Sequence, residues 1–139
     1  MIYLSFPMTH ASEEDNVIIN ETIVRIERLG VPHYNPRTEP ADLTMDQVQL
    51  FDFEKMSASG SGQLVIWTPG AHKSAGVIEE MGWARRIFGR KIAVYMPRPV
   101  FMSSWTRATA RQKVFETLEP ALEYLQVYVS KEVADGEED

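Results

Sequence analysis

The chain has 139 residues, 44% of them hydrophobic, which suits one compact domain with a substantial core and excludes wholesale disorder. It contains no cysteine, which excludes disulfides, thiolate catalysis and thiolate-bound zinc. No apolar run approaches the ~18 residues that a membrane span requires. The net charge of −6 comes mostly from five acidic residues within 132–139, so the rest of the chain is close to neutral, unlike a dedicated nucleic-acid binder.

The first half of the chain alternates short apolar segments with amphipathic ones. Residues 2–6 predict a buried strand, and residues 31–34 predict a second one. Between them, a Ser12 cap and isoleucines at i, i+4 and i+7 predict a helix that Gly30 ends. A capping-box pattern then predicts a helix over 44–57.

The second half continues the alternation. Residues 63–67 are the clearest strand of the sequence, residues 75–88 predict a helix, and residues 91–96 predict a fourth strand. A last helix is expected over 106–128. This pattern indicates a single α/β domain over 1–131: a Rossmann- or flavodoxin-like parallel sheet of four to five strands, with helices on both faces. The acidic tail that follows is expected to be disordered.

Two adjacent glutamates near the start of the third predicted helix differ in orientation. Helical periodicity places Glu79 on the outer side and Glu80 on the flank of the apolar face, half-buried and pointing toward the strand ends. A half-buried carboxylate tends to have a raised pKa and is a candidate nucleophile or base; the alternative is a boundary glutamate that stabilises the helix start. Asp52, considered by itself, is expected to be a solvated helix residue.

Two further features suit an anionic group. Ser74 and Gly76 stand at the start of the third predicted helix, where free backbone N–H groups bind anions; the alternative is a plain Ser74 cap. The stretch 81–115 contains no acidic residue, which fits an anionic ligand, a solvated basic face or a subunit contact. Its eight basic residues are Arg85, Arg86, Arg90, Lys91, Arg98, Arg107, Arg111 and Lys113.

Four segments resemble the nucleoside 2-deoxyribosyltransferase superfamily. Residues 2–7, IYLSFP, resemble its opening YLAGP, and Asp52 resembles the aspartate of its second helix. Residues 74–84, SAGVIEEMGWA, resemble its signature SxGvxxElGxA, and residues 89–95, GRKIAVY, resemble the GKPV strand that follows. The resemblance covers about residues 1–105 and implies cleavage of N-glycosidic bonds of nucleosides or nucleotides by double displacement.

The resemblance also implies a role for individual residues. Glu80 matches the nucleophile that attacks the anomeric carbon and forms a glycosyl ester, and Tyr3 matches the tyrosine that orients this carboxylate. Asp52 matches an aspartate near the leaving base, a candidate proton donor. Ser5 and Phe6, at the end of the first strand, are expected to contact the substrate.

Ser74 favours one branch of the superfamily. Relatives that act on free nucleosides usually carry an acidic residue there, whereas nucleoside 5′-monophosphate hydrolases carry serine, which suits a phosphate that an aspartate would repel. Gly76 and, across a dimer, Ser103 or Ser104 are expected to contact the same phosphate. The resemblance thus implies a nucleoside 5′-monophosphate N-glycosidase that needs no metal or organic cofactor and assembles as a homodimer or a multiple of it.

Three alternatives remain open at this point. A nucleoside 2-deoxyribosyltransferase would pass the sugar to a second base. A non-catalytic nucleotide-binding or signalling module is favoured by Phe6, which replaces the glycine of the family's first loop. A scaffold would use the basic stretch and the acidic tail for assembly. For all of them we expect a cytoplasmic protein with neither a membrane nor a nucleic-acid polymer as partner, and the scattered histidines show no metal-ligand spacing.

Overall fold

The structure is a computed structural model and describes residues 1–129. The acidic segment 132–139, for which disorder is expected, lies outside the described residues. The elements are β1 (Ile2–Ser5), α1 (Glu13–Arg28), β2 (His33–Tyr34), α2 (Met45–Ala58), β3 (Gly62–Ile66), α3 (Ala75–Gly82), β4 (Ile92–Tyr95), α4 (Ser104–Thr109), β5 (Val114–Phe115) and α5 (Leu118–Tyr124). Single 3-10 turns lie at Pro36–Thr38 and Ala71–Lys73, and a π-helical turn, Trp83–Ile87, extends α3.

The five strands form one sheet in the order β2-β1-β3-β4-β5, and every neighbouring pair is parallel. This confirms the predicted α/β class and sheet. The register places Tyr3 beside Tyr34 of β2 on one side and beside Gln63 of β3 on the other. In sheets of this flavodoxin-like order, ligands bind where the strand order reverses, beyond the carboxyl ends of β1 and β3.

Alternation along β1 divides the core into two layers. Ile2 and Leu4 point to one face of the sheet, where they pack with isoleucines of α1 and leucines of α5. Tyr3 points to the other face, where it belongs to the cluster that holds Met56 of α2 and Met81 of α3. The side chains of α2 and α3 therefore meet Tyr3 on a single face.

The predicted helix over 106–128 is wrong, because this segment divides into α4, β5 and α5. Arg111 and Gln112 have φ values of 53° and 63°, a left-handed conformation that ends a right-handed helix. The β-branched and aromatic residues of β5 then pair with β4. Pro120 fits the first turn of α5, where no N–H partner is lost, but not a helix interior.

The segment predicted as the helix 75–88 changes its winding partway. After α3 the chain continues through the π-helical turn, and the Phe88 N–H donates to the Trp83 carbonyl five residues earlier at 3.0 Å. Gly89, with a φ of 61°, then ends the helical segment where the sequence predicts. The π-helical turn inserts after the first two turns of α3, so it leaves the position of Glu80 unaffected.

Candidate active site

Glu80 is the central residue of the candidate site. It lies in α3, whose start is capped by Ser74: the Val77 N–H donates to the Ser74 hydroxyl at 3.3 Å. Glu80 is only 9% exposed, while the neighbouring Glu79 is exposed. Helical periodicity predicts this difference in orientation, but the burial of Glu80 is deeper than expected because α3 packs closely on the sheet.

The hydroxyl of Tyr3 holds the Glu80 carboxylate. Tyr3 is fully buried in β1, and its Oη atom donates to Glu80 Oε2 at 2.5 Å. Burial raises the pKa of Tyr3 above its ordinary value, and the negative charge of Glu80 raises it further. The phenol therefore remains a neutral donor at any physiological pH, and its bond to an ionised acceptor is of the strong, charge-assisted kind.

Ser5 and Gln63 support the same carboxylate from neighbouring strands. Gln63 Nε2 donates to Ser5 Oγ at 2.7 Å, and both side chains are buried. Because the serine oxygen accepts this bond, its own hydrogen is free to be donated to Glu80. Burial raises the pKa of Glu80 to about 7, and the hydrogen bonds from Tyr3 and Ser5 oppose a larger rise. Near neutral pH, Glu80 is thus a poorly solvated carboxylate with the reactivity of a nucleophile or base.

Asp52 reaches this face of the sheet from α2. One turn later on the same helix, Met56 is fully buried and anchors that side of α2 in the core. Burial, a hydrogen bond to the Glu39 carboxyl and the charge of Glu80 raise the pKa of Asp52 to about 8, and the nearby Tyr3 hydroxyl opposes the rise. Asp52 is therefore half-buried and not fully solvated as expected, because the face of α2 that bears it packs against the sheet.

Three residues of this cluster have no counterpart in the sequence-based prediction. Tyr34 Oη donates to Glu39 Oε2 at 2.5 Å, and the rings of Tyr3 and Tyr34 lie 5.5 Å apart. The Lys55 ammonium lies over the Tyr34 ring, 5.5 Å from its centroid. The pairing of the tyrosines could have been predicted from the parallel register of β1 and β2, but nothing in the sequence marks the loop glutamate.

The start of α3 offers an anion site beside Glu80. Ser74 caps the helix, and its first turn contains no acidic residue. Gly76 is exposed, and no atom lies within 4 Å of the place where a Cβ would stand. The backbone is therefore open to a ligand, and His72 and Lys73 lie in the 3-10 turn just before it.

Two of the predicted substrate-binding side chains lie apart from this cluster. Phe6 is 4% exposed and packs in the α1 layer of the core, with the Arg37 guanidinium 5.2 Å from its ring centroid. Ser104 is exposed at the start of α4, which Ser103 caps by accepting the Thr106 N–H at 3.1 Å. The structure thus brings Tyr3, Ser5, Asp52 and Glu80 together, but it does not join the side chains of Phe6 and Ser104 to them.

The basic stretch 81–115 is used largely within the fold. The residues engaged in this way are Arg85, Arg90, Lys91, Arg98 and Lys113. Arg85 Nη1 donates to the carbonyls of Ala108 and Thr109 at 2.9 Å and ties the α3 segment to α4. Arg98 forms an ion pair with Glu14 of α1. The absence of acidic residues in this stretch therefore does not create one free basic face.

Neither a metal centre nor a membrane span is found within residues 1–129. No three His, Asp or Glu side chains in that range are arranged to hold a metal ion. No helix in that range has the length and apolar character needed to cross a bilayer.

Comparison with known proteins identifies the fold. No protein-family model matches the sequence, and no curated protein matches it significantly. A solved structure of a 2-deoxyribosyltransferase from the psychrotolerant bacterium Bacillus psychrosaccharolyticus is similar, with a TM-score of 0.65 and 17% sequence identity. The match covers 95% of this chain and 94% of that one. At this identity the similarity shows a shared fold, which extends over nearly the whole of both chains.

Proposed function

We propose that the chain is an N-glycosidase that hydrolyses a nucleoside 5′-monophosphate to the free base and a (deoxy)ribose 5-phosphate. The observation that carries the proposal is the buried Glu80 carboxylate, held by Tyr3 at 2.5 Å beside the carboxyl of Asp52. A nucleophile and a proton donor on one face of the sheet are what a two-step glycosyl transfer requires. The motif resemblance and the shared fold of the 2-deoxyribosyltransferase support the same chemistry.

In the first step Glu80 attacks the anomeric carbon as the bond to the base breaks. The electron pair of that bond passes to the base nitrogen, and the Asp52 carboxyl donates a proton to the base. The product is a glycosyl ester on Glu80, with Tyr3 and Ser5 bound to the carboxyl until the bond forms.

In the second step water attacks the glycosyl ester. Asp52, now ionised, takes a proton from that water, and Glu80 leaves as a carboxylate.

The productive starting form has Glu80 ionised and Asp52 protonated. With pKa values of about 7 and about 8 for these two groups, base release is expected to be fastest between those pH values.

The phosphate is assigned to the start of α3. The Ser74 hydroxyl and the exposed backbone at Gly76 provide donors there, and no carboxylate of the first helical turn opposes an anion. Ser104 lies apart from the Glu80 cluster of its own chain. In this proposal it contacts the phosphate that is bound to a second copy of the chain. The homodimer is therefore part of this proposal.

Base release from ribo- and deoxyribonucleoside 5′-monophosphates, read by chromatography, tests the function. Glu80→Ala should lose at least a thousandfold in kcat, because the covalent step disappears. The matched control is Glu79→Ala, which alters the exposed neighbouring glutamate and should retain activity near the wild type. Free nucleosides should react more slowly than their monophosphates. Full turnover by Glu80→Ala, or no release by the wild type, would contradict the proposal.

Transfer of the sugar to a second base is the other candidate function. The fold shared with a 2-deoxyribosyltransferase over nearly the whole chain favours it. A transferase would need a second base to resolve the glycosyl ester, so label from a free base would appear in nucleoside or nucleotide. Hydrolysis alone would proceed at the same rate with or without added base.

A further inference from the structure

Asp52 carries an oxygen atom that no donor reaches. Its Oδ1 atom is buried, and it accepts no hydrogen bond from residues 1–129. The group beside it is the carboxyl of Glu39, which lies within hydrogen-bonding reach. Ionised carboxylates only accept hydrogen bonds, so two of them in contact would repel each other and leave buried oxygen atoms unsatisfied. A single proton between the two carboxyls removes both costs.

Glu39 is fixed on the side away from this contact. Tyr34 Oη donates to Glu39 Oε2 at 2.5 Å, and burial, followed by this hydrogen bond, raises the pKa of Tyr34, which therefore stays a donor. Tyr34 thus holds the Glu39 carboxyl in place, and Asp52 is the member of the pair whose pKa is raised.

The surroundings of Asp52 add more negative than positive charge. The titratable groups that face it are Tyr3 of β1, Tyr34 of β2, Glu39 of the loop after β2 and Glu80 of α3. Lys55 makes no ion pair within residues 1–129; its ammonium lies 5.5 Å from the ring centroid of Tyr34. Three carboxyls therefore share one nearby ammonium, and retention of a proton on one of them follows from their mutual repulsion.

We propose that Glu39 and Asp52 share one proton, and that Glu39 is a positioning residue that keeps this proton on Asp52 for delivery to the leaving base. The delivery part of this inference rests on the proposed function. As the bond to the base breaks, the proton moves from Asp52 to the base nitrogen, and the pair becomes doubly ionised. The water that hydrolyses the glycosyl ester returns a proton to Asp52, so the pair is restored after each turnover.

A carboxyl titration tests the shared proton without any need for activity. Protein labelled with 13C at Asp and Glu carboxyls is titrated by NMR from pH 4 to pH 9, and the Asp52 signal is assigned as the one missing from D52N. In the wild type it should titrate near pH 8. In E39Q the introduced amide donates to the ionised Asp52, so the midpoint should fall by at least one pH unit. The matched control E54Q, on the exposed side of α2, should leave the midpoint unchanged.

Activity provides the second measurement. In E39Q the alkaline limb of kcat should move to lower pH by the same interval, which is about a fivefold loss at pH 8 for one unit, while KM changes little. A wild-type Asp52 midpoint below pH 5 would overturn the proposal even if E39Q did not fold, and so would an unchanged midpoint in a folded E39Q. A shifted midpoint in a protein that releases no base would support the shared proton and contradict the glycosidase instead.

Discussion

The contact between Tyr3 and Glu80 joins two residues that are 77 positions apart in the sequence. Burial raises the pKa of Glu80, whereas the hydrogen bond from Tyr3 lowers it, and the balance is a value of about 7. The tyrosine therefore determines how much of the Glu80 carboxyl is ionised at neutral pH, in addition to its orientation.

Replacement of Tyr3 by phenylalanine removes the hydroxyl and leaves the ring in the core. Without that donor the pKa of Glu80 rises, so the acid limb of the pH profile of kcat should move to higher pH by at least half a unit. We expect a loss of about 10- to 100-fold in kcat at pH 7, with little change in KM.

The control for this variant is Tyr124→Phe, which removes a hydroxyl from a half-buried tyrosine of α5 on the other layer of the core. It should show the wild-type pH profile. An acid limb that stays in place in the Tyr3 variant would mean that the hydroxyl does not act on Glu80.

The sequence predicts the members of the site unevenly at this scale. Helical periodicity alone selects Glu80 over Glu79, because the apolar face of α3 is regular. Asp52 required the motif resemblance, since α2 has no clear apolar side: both Met45 and Leu50 are more than 60% exposed. Glu39 could not be predicted, because its place depends on a loop conformation that no local pattern specifies.

At the scale of elements, α3 carries a glycine that its own structure does not require. Gly76 lies in the first turn of the helix, and a Cβ there would meet no atom within 4 Å. Gly76→Ala should therefore stabilise the protein by about 0.5–1 kcal/mol, because alanine restricts the unfolded chain and favours helix. Urea denaturation measures this gain.

The same variant should lose base release if the backbone at Gly76 binds the substrate phosphate. The comparison is Gly30→Ala, which also meets no atom but has a φ of 69°, so it should be destabilised by about 1 kcal/mol without a specific loss in kcat/KM. A Gly76→Ala protein with greater stability and unchanged kcat/KM for nucleotides would place the phosphate elsewhere.

The prediction of elements failed in the part of the chain where local and tertiary signals compete. Residues 108–110 favour helix, but the chain that follows them forms β5. This strand extends the sheet, with Val114 paired to Val94 of β4. Two left-handed residues, Arg111 and Gln112, make the turn that permits this pairing, although neither residue type marks such a turn in sequence. Pro120 was the available signal against a continuous helix.

For the whole molecule, two exposed aromatic residues predict how copies of the chain associate. Phe101 and Trp105 are 66% and 77% exposed, on either side of the start of α4. Large aromatic side chains that are exposed to solvent are typical of protein interfaces. In the proposed dimer this surface also carries Ser104 to the partner's site.

Trp105→Glu should therefore dissociate the dimer and abolish most base release together, because a desolvated charge opposes association and the shared site is lost. Sedimentation velocity and kcat/KM measure the two effects. Leu50→Glu, at a 63% exposed position of α2, is the control and should leave both unchanged. A fully active monomer would contradict the shared site.

The buried carboxyls also determine how the stability of the whole molecule depends on pH. An aspartate in the unfolded chain ionises near pH ~4, whereas folding raises the pKa of Asp52 to about 8. Between these values the folded state holds a proton that the unfolded state has released. The contribution of Asp52 to the free energy of unfolding is fully present below pH ~4. It is lost as the pH rises toward 8, because between these pH values the unfolded state binds fewer protons than the folded state.

Asp52→Asn should remove this loss, since an amide needs no proton and can donate to Glu39. We expect about 1 kcal/mol of added stability at pH 8, a value reduced for the partial solvent exposure of Asp52, and little change at pH 4. Thermal unfolding at both pH values measures it, with Asp46→Asn on the exposed part of α2 as the control. A variant that is more stable but inactive would mean that the chain retains a destabilising carboxyl because the reaction needs its proton. Equal stability of variant and wild type at pH 8 would mean that Asp52 is already ionised in the folded protein.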